Sequence, residues 1–131
     1  MIYKISRREL ANYAIDQLLA GHSPRRLAKQ LAAALVGSGR AKEVDLLATD
    51  IEAELERRKI VASLMISSAN QLATEIKKTL VKYVRQVTGV DNILAQERIE
   101  PDLLGGFKLE TANRSWDKTV KKQLADIKEA I

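Results

Sequence analysis

Ile60-Val61-Ala62-Ser63-Leu64-Met65-Ile66-Ser67 is the stretch on which the reading of the fold turns. Every residue in it is apolar or small, and it contains no breaker, so it reads as a buried β-strand. Before it the apolar residues recur at helical spacing. After it strands and helices alternate.

Upstream, Ser6 and Glu9 stand at capping-box spacing, with Ile5 and Leu10 placed to staple over the cap. Leu10, Ala14 and Leu18 continue one face until Gly21. Ser23-Pro24 opens a second helix with a cap and a proline at the first helical position. Leu27, Leu31 and Leu35 form its stripe, and Gly37-Ser38-Gly39 stops it. A third helix is expected from about Ala41 to Lys59, with Val44, Leu47, Ala48, Ile51 and Leu55 on one side.

Downstream, a long helix is expected over about 70–87, with a stripe of Leu72, Ile76, Leu80, Tyr83, Val84 and Val87 and a stop at Gly89. Residues 92–99 read as a second strand. Leu104 to Thr111 reads as a strand interrupted by Gly105-Gly106, Ala112-Asn113 as a tight turn, and Arg114 to Trp116 as a short returning strand. Asp117 stands where it could cap a last helix whose buried stripe would be Val120, Leu124 and Ile127. The expected class is α+β, mostly α: a small N-terminal helical bundle over residues 1–59, then a small mixed-sheet domain with packed helices over 60–131. Strand–helix–strand connections favour a parallel pair.

With 131 residues, 46% of them apolar and 30% charged, the composition is that of a globular protein. The five aromatics are Tyr3, Tyr13, Tyr83, Phe107 and Trp116, so the core must rest on Leu, Ile, Val and Ala. The net charge of +5 is spread over both halves and forms no basic tail. Cysteine is absent, which removes disulfides and thiolate metal sites, and one histidine makes no histidine metal cluster. The charged start lacks the apolar run of a signal peptide, and no stretch approaches the roughly 20 apolar residues of a membrane span.

No catalytic constellation emerges. The diglycine is not followed by Gly-Lys-Ser/Thr, Gly37-Ser38-Gly39 sits between helices rather than after a strand, and His22 falls in a helix–helix turn. Glu52 and Glu56 lie at i,i+4 on a charged face and read as solvated. Lys78, Lys82 and Arg85 share a helical row, with Lys77 beside it. The row reads first as an ordinary solvated helix face and next as a contact for an acidic protein partner, since the aromatics are too scattered for a nucleobase stacking platform. A free-standing basic helical module that binds nucleic acid is the alternative reading, tested by the salt dependence of its affinity for duplex DNA.

Ile99-Glu100-Pro101-Asp102-Leu103-Leu104-Gly105-Gly106-Phe107, followed by Trp116-Asp117-Lys118-Thr119-Val120 and Leu124, resembles the C-terminal signature of the F-type ATP synthase delta subunit, called OSCP in mitochondria. Asn12-Tyr13-Ala14 with Leu18 resembles the family's first helix, and Leu35, Gly39-Arg40, Leu46-Leu47 and Ile51 resemble the end of its N-terminal bundle. Lys118 stands where the family usually has Gly or Ala. The family's bundle has six helices and about three fit before residue 60, so a shortened bundle is implied.

The resemblance implies a non-catalytic stator subunit of the peripheral stalk, without cofactor, metal or direct nucleotide. It would join the N-terminal segments of the alpha subunits to the b subunits. Membrane association would come only through the complex, at the cytoplasmic face of the cell membrane. Pro101, Leu104, Gly105, Gly106, Asp117 and Val120 would be structural. Tyr13, Leu18, Leu27, Leu31 and Val44 are candidates for the alpha contact, and Lys78, Lys82 and Arg85 for the stalk contact.

Overall fold

A computed structural model describes residues 5–131. The first four residues, which belong to the charged start discussed above, lie outside it.

Three helices lead the chain: α1 (Arg7–Leu19), α2 (Pro24–Gly37) and α3 (Val44–Arg57), the last entered through a 3-10 turn at Ala41–Glu43. The Ser6 hydroxyl accepts from the Glu9 amide at 3.1 Å, so the cap of α1 forms as its sequence suggests. All three helices end the same way. The amide two positions beyond the cap reaches back five residues: His22 to Gln17, Arg40 to Leu35 and Ile60 to Leu55. This Schellman geometry places one residue in the left-handed region. Gly21 and Gly39 supply it for α1 and α2, whereas Lys59, at φ +59°, supplies it for α3. Leu10, Ala11, Ala14, Leu27, Leu31, Leu35 and Leu47 make one buried cluster, with Ile51 packed beside it. Ion pairs tie α1 to α3: Arg7 to Asp50, and Arg58 to Asp16 at 2.7 Å.

The apolar stretch at 60–67 becomes β1 (Ala62–Ser68), its first two residues serving as the link from α3. Then come α4 (Thr74–Thr88), β2 (Ile93–Ile99), a 3-10 turn at Pro101–Leu103, β3 (Gly106–Glu110), β4 (Ser115–Thr119) and α5 (Val120–Ala130). The sheet order is β2-β1-β3-β4. β1 and β2 are parallel, as the strand–helix–strand order requires, and the other two pairings are antiparallel. Leu64, Ile66 and Leu109 point to one face and meet Leu80 and Val84 of α4 in a second buried cluster. Trp116 joins its margin and meets Tyr83 edge-on at 5.9 Å. The α+β class, mostly helical with a mixed sheet, is thereby established.

Three expectations are corrected. The strand expected from Leu104 begins at Gly106, because Leu104 takes φ +68° in leaving the 3-10 turn and cannot continue a ladder. Asp117 does not cap the last helix, since β4 runs on to Thr119 and the Thr119 hydroxyl accepts from the Lys122 amide at 3.1 Å. Asp117 instead braces that cap, accepting from the Thr119 hydroxyl at 2.6 Å and from its amide at 3.1 Å. Finally, the stripe of α5 is not buried, and no residue of that helix is.

The diglycine has two distinct jobs. A β-carbon on Gly106, which sits at φ +74°, would lie 2.2 Å from the Lys118 carbonyl oxygen across the β3–β4 ladder. One on Gly105 would press on the Val120 side chain at 3.1 Å, while the Gly105 carbonyl accepts from the Val120 amide. The two glycines thus let the root of α5 settle against β3.

Candidate partner-binding surfaces

Capping at Ser6 and the turn through Gly21 set α1 and α2 side by side. Their inner rows, Leu10 and Ala14 on one and Leu27, Leu31 and Leu35 on the other, go into the core. Between their outer shoulders the described residues leave an apolar groove of about 320 Å³. Leu10 and Leu31 form its floor, Ile5, Tyr13 and Ala34 its walls, and Glu9 and Gln30 its polar rim. The apolar lining with its polar rim suits the apolar face of an amphipathic helix.

Of the residues singled out from sequence for this region, Tyr13 and Leu31 line the groove. Leu27 is buried in the core beneath, while Leu18 and Val44 are exposed elsewhere and do not line it. Ile5, Leu10 and Ala34 were not singled out as contacts. The first two share the staple spacing, and Ala34 follows Leu31 by three residues, so a helical wheel through both helices marks the groove once their pairing is known.

The second surface is α5. Val120, Leu124, Ile127 and Ile131 stand at 4-3-4 spacing, the spacing of a coiled-coil seam, and are 38%, 45%, 56% and 100% exposed. Lys121 and Lys128 flank that seam. The root of the helix is held by the Thr119 cap and the Gly105 carbonyl, and the helix also lies near the Pro101–Leu103 turn. The hydroxyl of Thr119 holds the Asp117 carboxyl below the usual carboxylate range, opposed by partial burial and helped by Lys108 and Lys122.

On α4, Lys78, Lys82 and Arg85 are exposed along one row. Arg85 also donates to the Asp91 carbonyl at 2.9 Å, which ties it to the turn after its own helix. Ile76, Tyr83 and Val87 stay 48%, 43% and 37% exposed on the opposite flank, so the long stripe expected there is only partly buried. Within the row Lys78 meets Glu75 at 3.8 Å, and positive charge elsewhere is paired only in part. Arg57 holds the Glu54 carboxyl low, aided by Arg58, and Lys77 meets Glu97 at 2.6 Å. Among the described residues no three His, Asp or Glu side chains group as metal ligands, and no helix is long and apolar enough to cross a membrane.

The family profile described as "ATP synthase delta (OSCP) subunit" matches residues 4–131. The chain belongs to the ATP synthase delta (OSCP) family. Over 117 residues the delta (OSCP) chain is 25% identical to ATP synthase subunit delta of Koribacter versatilis, covering 89% of itself and 65% of that protein. Over 93 residues it is 26% identical to the chloroplastic subunit delta of Emiliania huxleyi, covering 71% of itself and 52% of that protein. It therefore spans about half to two thirds of the length of these relatives. In shape it is similar to a chain of the Toxoplasma gondii mitochondrial ATP synthase hexamer solved by cryo-EM, with a TM-score of 0.68 and 11% identity, covering 96% of itself and 70% of that chain. At that identity the likeness is one of fold.

Proposed function

We propose that this delta (OSCP) chain is a non-catalytic stator subunit of a proton-translocating F-type ATP synthase, organised as a helical domain over residues 1–59 and a sheet domain over 60–131. It links the catalytic head to the peripheral stalk, so that rotor torque drives nucleotide chemistry instead of spinning the head. The observation that carries this reading is a pair of unfilled helix-accepting surfaces on different parts of one chain: the α1–α2 groove and the bare stripe of α5. A connector needs two such surfaces and no reaction site.

The groove, with Tyr13 and Leu31 inside it and Leu27 supporting it, takes an N-terminal helix of an alpha subunit. The stripe of α5 takes the b-subunit stalk, with Lys78, Lys82 and Arg85 adding a weaker attraction for acidic residues. Membrane attachment follows from the complex, at the cytoplasmic face. Burial of three or four aliphatic side chains supplies affinity of roughly 1.5–3 kcal/mol each before ordering costs.

The test is affinity purification of the tagged 131-residue chain with its native complex in mild detergent. Recovery of alpha, beta and b chains in fixed ratio is expected. Tyr13→Asp with Ala34→Asp should release the alpha and beta chains and keep b, and Leu124→Asp the reverse. Recovery of nucleic acid, or of no synthase subunit, overturns the reading.

A further inference from the structure

Glu56, in the last turn of α3, is 6% exposed, yet among the described residues it forms no ion pair with lysine or arginine. A carboxylate taken out of water without compensation is costly. Its compensation comes from one place, the turn between β3 and β4. The Thr111 hydroxyl donates to one carboxylate oxygen at 2.8 Å. The Asn113 backbone amide and side-chain amide donate to the other at 3.2 and 3.1 Å. The same Asn113 side chain donates to the Ala53 carbonyl at 2.9 Å and accepts from Arg57 at 3.3 Å. Donors aimed at a carboxylate make short, charge-assisted bonds, stronger than neutral ones.

The covalent link between α3 and β1 is short and has no regular structure: Lys59 in the left-handed region, then Ile60 and Val61. Two separate apolar clusters lie on either side of it. Such a link invites hinge motion unless something else joins the two sides. We propose that Glu56 and the 111–113 turn form a latch that holds the helical part and the sheet part as one rigid body. Arg114 extends the latch to a third element, donating to the Val87 carbonyl at the end of α4 at 3.0 Å. Opening the hinge would not expose Glu56 gradually. It would remove three donors from one carboxylate together, so the latch is all-or-none. The latch is a property of the chain itself and stands whether or not the stator reading does.

The chain has no cysteine, so two spin labels on introduced cysteines report a single distance. Labels at exposed Lys29 on α2 and exposed Gln86 on α4 span the link. The parent is expected to give one narrow distance distribution. Glu56→Ala should broaden it and speed exchange of the Asn113 amide by on the order of tenfold or more, the loss of a charged hydrogen bond. Protection of the Leu31 and Val84 amides, inside the two clusters, should be retained. Thr111→Val with Asn113→Ala removes both side-chain donors and leaves Glu56 only the Asn113 backbone amide, so this pair decides the matter if Glu56→Ala unfolds. A distribution as narrow as the parent's in a folded variant overturns the proposal.

Discussion

Helices α4 and α5 each carry an apolar row at helical spacing, α4 beside β2 and α5 beside β4 of one small sheet. In α4 the row turns Leu80 and Val84 onto Leu64, Ile66 and Leu109 and buries them, while Ile76, Tyr83 and Val87 stay partly exposed at its margin. In α5, Val120, Leu124 and Ile127 meet nothing comparable and remain open. The difference is one of connection. α4 bridges two parallel strands, and to do so it must lie back across the sheet. α5 follows the edge strand β4, and among the described residues it joins no pair of strands across a sheet face. An amphipathic pattern states that a helix needs a partner, and the topology decides whether the chain supplies it.

The hardest way to break this comparison is to disturb the root of α5. Gly106→Ala places a β-carbon against the Lys118 carbonyl and forces alanine into positive φ. It should cost on the order of 3 kcal/mol or more, through overpacking and backbone strain together, measured by urea denaturation. If the loss is small, the close approach of β3 to the entry of α5 is not what holds that end of the sheet.

Next in size is the direct contrast. Leu80→Ala should destabilise the isolated chain by about 2–4 kcal/mol, as expected for a truncated core leucine. Leu124→Ala should change it by less than about 0.5 kcal/mol, the ordinary effect of a surface substitution. Thermal melts of the two variants side by side sharpen the comparison. Equal losses would mean that α5 packs within the chain after all.

The smallest effect concerns the cap. Thr119→Ala removes the hydroxyl that accepts from Lys122 and donates to Asp117, and should lower stability by about 1 kcal/mol. Far-UV circular dichroism should show fraying confined to α5. The same site has an acid signature. The Asp117 pKa lies below its ordinary value of 3.8 in the folded chain, first because of the Thr119 hydroxyl. A depressed carboxyl contributes stability that is complete above the unfolded pKa and is lost as pH falls through the folded one. Its contribution should therefore vanish only below pH 3.8, and Asp117→Asn should flatten that part of the stability curve.

Much of this was legible beforehand because it depends on neighbours along the chain. Ser6 and Pro24 start helices, Gly21 and Gly39 end them, and the uncharged run around Leu64 makes a strand, all through interactions within a few residues. The misreadings share one cause, which is long range. Asp117 has good capping chemistry, but the pairing of Lys118 with Phe107 and Thr119 with Gly106 extends β4 past it and hands the cap to Thr119. Glu56 looked like one member of a solvated acidic face, since the donors that bury it lie 55 and 57 residues away. The groove was half visible: Tyr13 and Leu31 carry its chemistry, but Ile5 and Ala34 belong to it only because α1 and α2 lie side by side.

By itself the sequence determined the order and kind of the elements and the apolar rows of the first three helices, because periodicity and capping are local constraints. Only the tertiary structure decided which stripes stay open, which carboxylate is buried and where the helical part is fastened to the sheet. Those outcomes depend on which distant backbones are brought within hydrogen-bonding and van der Waals reach, and no local pattern encodes that distance.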